Sequence, residues 1–150
     1  QRLIGRSLRA SLDMEVLGEK TLLIDCDVVQ ADAGTRTASI TGSWVALSRA
    51  LDRLMEKGLL TKHPLKKQVS AISVGLINGV PFLDLDYKED SIADVDLNVV
   101  MDSCGNFFEI QGSAERSTFS RNELNDLLDI AQIGLSKLQG LQIEALKEQG

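Results

Sequence analysis

At 150 residues, with 43% apolar and 25% charged residues, the chain has the size and balance of one ordinary globular domain and not of a disordered segment. A formal net charge of −6 does not advertise a nucleic-acid binder, and a single histidine, His63, excludes most histidine metal sites and Ser/His/Asp triads. No stretch approaches the roughly 18 apolar residues of a membrane span, so a soluble, cytoplasmic protein is expected.

In chain order, Leu3, Ile4, Leu8, Leu12 and Val16 trace one face of a helix that Gly18 is placed to end. Arg2, Arg6 and Arg9 recur on that helix as a basic stripe; a solvated surface is the plainer reading of it. Lys20–Val29 (KTLLIDCDVV) alternates apolar and polar residues as a strand does. A loop, ADAGTRTASITG, leads into a helix from about Thr35 to Lys57, with Gly58 as its stop. A polar loop over 59–68 holds His63-Pro64, and Lys57, Lys62, Lys66 and Lys67 gather around it. QVSAISVGLI and VPFLDLD flank Asn78-Gly79, a strong hairpin signal. DLNVVM and NFFEIQGS flank a second turn at Asp102–Gly105, and Ser120-x-x-Glu123 is a capping box for a long last helix. Cys26 and Cys104 both lie in apolar, strand-like surroundings, which points to two buried thiols rather than a disulfide or a metal pair. The order of elements predicts an α+β fold, a mostly antiparallel sheet with helices packed on one side.

Two constellations carry chemistry. A helix N-terminus leaves several N–H groups unpaired and bears about half a positive charge, a ready site for phosphate. Gly34 lets the backbone approach closely, Thr35 and Thr37 add hydroxyls, and Arg36 offers a planar fork matched to phosphate oxygens. The plainer reading is that Asp32 or Thr35 caps the helix and Arg36 lies in solvent. The second constellation is acidic: DLDYKEDSIADVDLN holds Asp84, Asp86, Glu89, Asp90, Asp94 and Asp96. Asp90 and Asp96 bracket a short segment between two strands that can bring both carboxylates together, a pairing that suits Mg²⁺ bridged to phosphate. Together the constellations suggest phosphoryl-group chemistry.

CDVVQADAGTRTASITGSWVAL and LDLDYKEDSIADVDLNVVMDSCGNFFEIQGSAE, in that order, resemble the two central signatures of the ribonuclease PH family of phosphorolytic exoribonucleases, and QRLIGRSLRASLD and the long last helix also fit. The resemblance covers essentially all 150 residues. It implies a ribosomal-protein-S5-domain-2-like fold, with inorganic phosphate as co-substrate held at Gly34, Thr35 and Arg36. It also implies Asp90 and Asp96 as the important acidic pair, holding Mg²⁺ or assisting the departing 3′-oxygen. The implied reaction is phosphorolysis of the 3′ ends of tRNA precursors and other RNA by a hexameric ring built as a trimer of dimers. Arg2, Arg6 and Arg9 are then candidates for an RNA-lined surface or a subunit contact. Residues 1–150 would form a single domain lacking the N-terminal part of the family's chains, about half a domain, and with it a second phosphate-binding arginine. The alternatives are a non-catalytic, RNA-binding ring subunit of exosome type, or a truncated inactive fragment.

Overall fold

A computed structural model describes residues 2–115 and 117–148. The elements are α1 (Arg2–Ala10), α2 (Met14–Leu17), α3 (Thr35–Glu56), β1 (Val69–Ile77), β2 (Val80–Leu83), α4 (Tyr87–Ile92), β3 (Val95–Asp102), β4 (Phe107–Ala114) and α5 (Arg121–Lys147). The strands form one sheet in the order β2-β1-β3-β4, every pairing antiparallel, as an α+β chain with consecutive hairpins should.

All nine residues of β1 are buried, because alternate positions enter different cores. Val69 and Ala71, with Val100 of β3, pack against Leu3 and Leu8 of α1 and Ile40, Trp44 and Leu51 of α3. Ile72, Val74 and Leu76, with Val95, Leu97 and Val99, pack against Leu127, Ala131 and Leu135 of α5. Helices therefore lie against both faces of the sheet, where a one-sided layer was expected. A strand buried on both faces reads as a continuous apolar run and does not reveal how many faces are covered.

β2 joins β1 only from Val74 onward, which leaves the Val69–Ser73 edge open. Side chains close it. Thr41 of α3 accepts from the Ala71 N–H at 3.0 Å and donates to the Ala71 carbonyl at 3.1 Å. Gln142 of α5 donates to the carbonyls of Val69 and Thr41, both at 2.9 Å, and accepts from Gln68 at 2.9 Å. The buried edge is thereby satisfied.

The Asn78-Gly79 turn is as expected, with φ of 52° and 74° at its two residues, the left-handed pair of a two-residue hairpin. Ser120 and Glu123 form the expected capping box on α5. Four expectations are corrected. The first helix is interrupted after Ala10, because the backbone of Ser11–Asp13 turns to Pro64, Lys66 and Lys67 for its hydrogen bonds, and Asp13 restarts the chain as the cap of α2. Lys20–Val29 forms no strand: alternation supplies the pattern, but no described strand offers it a ladder, and Leu23 and Val29 stand almost fully exposed. β2 ends at Leu83 and not at Asp86, since Asp84 takes a left-handed φ of 57°. Finally, Cys26 is only half-buried and Cys104 is exposed on the β3–β4 turn, so neither thiol is a core residue. That turn is organised by the Asp102 carboxylate, which accepts from Cys104, Asn106 and Lys67. Burial pushes the Asp102 carboxyl up, but these donors outweigh it and set its pKa at about 2.

Candidate active site at the start of helix α3

The ADAGTRTASITG segment crosses from coil into α3 through two residues with left-handed φ, Ala33 at 60° and Gly34 at 57°. Gly34 is the N-cap and provides no side-chain cap. Asp32 does not cap the helix either: its Oδ1 accepts from the Tyr87 N–H at 3.0 Å, tying the loop to α4. The hydroxyl of Thr37 is buried and turns back to the Gly34 carbonyl at 2.7 Å, which tightens the first turn. The first N–H groups of a 22-residue helix thus face a pocket without a side-chain cap from Gly34 or Asp32.

That pocket has a volume of about 180 Å³ and is lined by Ala33, Gly34, Thr35, Arg36, Ser73, Asp90, Asp96 and Asn98. Gly34, Thr35, Arg36, Asp90 and Asp96, expected for phosphate and acid chemistry, meet in it; Thr37, also expected to offer its hydroxyl to phosphate, is turned to the Gly34 carbonyl and does not line it. Register explains the sheet contribution. Ser73 of β1 stands opposite Asn98 of β3, and Gly75 opposite Asp96, so the polar members of both strands share one face at one end. Gly75 must be glycine, because a Cβ there would come within 2.6 Å of Leu85 and of the Val95 carbonyl.

The six acidic residues of the 84–96 stretch divide their work. Asp86 and Glu89 form a reciprocal capping box that starts α4, with bonds of 2.8 and 3.0 Å. Asp94 accepts from the Asn78 N–H at 2.9 Å and steadies the hairpin. Asp90, exposed on α4, and Asp96, half-buried on β3, line the pocket. Burial raises the Asp96 pKa, the nearby Asp90 charge raises it further, Arg36 lowers it, and Glu115 raises it. Like charges held this close invite a cation, and two carboxylates suffice for Mg²⁺, which keeps several waters; no cluster of three or more metal-ligating side chains occurs among the described residues.

Arg2, Arg6 and Arg9 lie exposed on α1 and do not line the pocket. Arg6 is bound to Glu109 of β4, its Nε donating at 3.1 Å. Lys66 pairs with Asp13 at 2.9 Å and Lys67 with Asp102 at 3.0 Å, so this part of the basic cluster serves the fold. Two lining residues were not anticipated, Ser73 and Asn98. The signal for both was present: a polar residue at an inward position of an apolar strand. α4 was also missed, although Asp86-x-x-Glu89 has capping-box spacing.

Residues 67–134 match the 3′ exoribonuclease family, domain 2. The chain is 65% identical over 149 residues to a ribonuclease PH of Prochlorococcus marinus, covering 99% of this chain and 61% of that protein. It is 57% identical over 148 residues to the ribonuclease PH of Crocosphaera subtropica, covering 99% and 62%. The chain thus spans about three fifths of the length of these relatives. Among solved structures, rice (Oryza sativa) Rrp46 superposes with a TM-score of 0.70 at 16% identity, over 98% of this chain and 64% of that one. An archaeal exosome core matches with the same TM-score at 18% identity, over 94% and 61%. At such identities these two establish the fold alone, an α+β domain with one antiparallel sheet. The order of the two signatures, the match over residues 67–134 and the identity to named relatives agree: over about three fifths of the length of those proteins the chain is similar to ribonuclease PH.

Proposed function

We propose that the protein carrying this chain is a phosphate-dependent 3′-to-5′ exoribonuclease that trims the 3′ ends of tRNA precursors and releases nucleoside diphosphates. The observation that carries this reading is the convergence of the α3 N-terminus and Arg36 with Asp90 and Asp96 in one pocket. The N–H groups of the first turn and the Arg36 fork hold inorganic phosphate in line with the last phosphodiester of the RNA. An oxygen of that phosphate attacks the phosphorus, and the bond to the 3′-oxygen of the preceding nucleotide breaks. That oxygen leaves with the bonding pair and takes up a proton, so the shortened RNA ends in a hydroxyl and the terminal nucleotide departs as a diphosphate. The nucleophile brings its own charge, so no histidine base is needed.

Asp90 and Asp96 would hold Mg²⁺, which when bound neutralises charge gathering on the phosphoryl oxygens. In the second role proposed for the pair, one of the two carboxyls assists the departing 3′-oxygen directly. The fold shared with an archaeal exosome core supports assembly of this protein with further subunits, proposed as a hexameric ring built as a trimer of dimers. Arg2 and Arg9 on α1 are proposed to face RNA, while the Arg6–Glu109 pair fixes the stripe to β4. The setting is proposed to be cytoplasmic; no helix among the described residues is long and apolar enough to cross a membrane.

The test is an RNA with a short 3′ extension incubated with Mg²⁺, with and without inorganic phosphate. Diphosphates are expected only with phosphate; monophosphates would mean hydrolysis and overturn the assignment. Arg36→Ala is expected to raise the KM for phosphate about tenfold or more, the loss of a charged hydrogen bond, with RNA binding little changed. Asp96→Asn is expected to abolish turnover with RNA binding retained. Equal loss of RNA binding in both variants contradicts this division of roles.

A further inference from the structure

Ser73 sits on β1 between Ile72 and Val74, is only 4% exposed, and its Oγ has no hydrogen-bond partner among the described residues. A buried hydroxyl left unpaired works against folding, so its retention at an inward strand position calls for an occupant. Its surroundings narrow the choice. The hydroxyl lines the same pocket as Gly34, Thr35 and Arg36, and it lies 3.5 Å from the point where a Cβ on Gly34 would stand. The Thr37 hydroxyl is equally near that point but is already bonded to the Gly34 carbonyl. The Ser73 carbonyl is likewise engaged, accepting from the Asp84 N–H at 2.8 Å, which fixes the strand beneath the loop. Asn98, the cross-strand neighbour, is 5% exposed and lines the pocket beside it.

We propose that Ser73 is a phosphate-binding residue: its Oγ–H donates to an oxygen of inorganic phosphate on the floor of the pocket, beneath the helix N-terminus. The inference rests on the phosphate site proposed at Gly34, Thr35 and Arg36. That site has helix N–H groups and a guanidinium, both of which approach from the loop side. Ser73 adds a donor from the sheet, so a tetrahedral anion is held from two elements and its rotation is restricted. Ser73 is held buried within a strand, so little freedom is lost when the bond forms. Gly34 is then required for a second reason besides its φ: any side chain there would stand between the hydroxyl and the helix N-terminus.

The experiment uses the purified native protein with Ser73→Ala and, as a control, Arg36→Ala, with inorganic phosphate as the probe. Thermal unfolding is followed against phosphate concentration, and KM and kcat are measured for phosphate and for RNA. For Ser73→Ala a KM for phosphate raised about tenfold is expected, the loss of one bond to a charged group. The KM for RNA should be unchanged, and the melting temperature without phosphate equal to wild type or higher. That last readout separates binding from support of the fold, because removing an unpaired hydroxyl takes no bond from the free protein. A phosphate response equal to wild type overturns the assignment of Ser73. A lowered melting temperature without phosphate, or loss of the fold, overturns it as well, since the hydroxyl would then serve the structure. If wild type itself shows no phosphate response, or Arg36→Ala leaves that response intact, the underlying phosphate site fails and Ser73 falls with it.

Discussion

Asp96 binds its proton more tightly than a solvated aspartate does, first through burial and then through the charge of Asp90, with Arg36 opposing both. The sign matters for stability. A carboxyl whose folded pKa is raised above the ordinary value of 3.8 supports the fold below that value, and the support is lost as pH rises through the folded pKa. At neutral pH the ionised group therefore works against folding. Asp96→Asn, expected to stop turnover, is also expected to melt higher than wild type at pH 7, with the gap closing toward pH 4. Thermal unfolding across that range checks it, and an unchanged or lower melting temperature at pH 7 refutes it. Asp90, Asp96, Gly34 and Arg36 were legible from the sequence because charge and glycine stand out against their surroundings. Ser73 and Asn98 were not, since a single serine or asparagine in an apolar strand acquires meaning only from register: Ser73 opposite Asn98 and Gly75 opposite Asp96.

Short elements carry the acidic half of the site. α4 is six residues long, has no buried residue and is started by the Asp86–Glu89 capping box. A helix this short has little intrinsic stability, so its cap and its bond to Asp32 decide where Asp90 points. Asp86→Ala is expected to cost about 1 kcal/mol locally and to lower kcat several-fold while the melting temperature stays near wild type. Steady-state kinetics beside a thermal melt test this; an unaltered kcat would mean that α4 is positioned by something other than its cap. The long elements, α3, α5 and both hairpins, were readable because helical periodicity, a capping box and Asn78-Gly79 are local signals. The break at Ser11–Asp13 and the unpaired Lys20–Val29 segment depend on distant backbone, Pro64–Lys67 in one case and a ladder in the other. No local pattern reports those.

Across the whole molecule, two cores meet at the sheet, and the edge of β1 is where they are joined. Gln142, 3% exposed, bonds α5 to α3 through the Thr41 carbonyl and to β1 through Val69. Gln142→Leu removes these bonds and leaves two buried carbonyls with fewer donors, which is expected to destabilise the fold by roughly 2–3 kcal/mol. Chemical denaturation should register this as a lower midpoint with an unchanged slope. A midpoint equal to wild type would show that water or the shifted backbone takes over the role. Because Thr41 lies near the start of α3, whose N-terminus carries the proposed phosphate loop, the same variant tests how far the site depends on the junction of the two cores.

The bond from Asp32 to the Tyr87 N–H has a thermodynamic meaning beyond geometry. It makes the anion-facing loop and the carboxylate-bearing helix neighbours in one mechanical unit, so a ligand that settles either one settles both. For the phosphate and the cation proposed for this site, linkage requires reciprocity: by whatever factor phosphate tightens the hold of Asp90 and Asp96 on a cation, the cation tightens the hold on phosphate by the same factor.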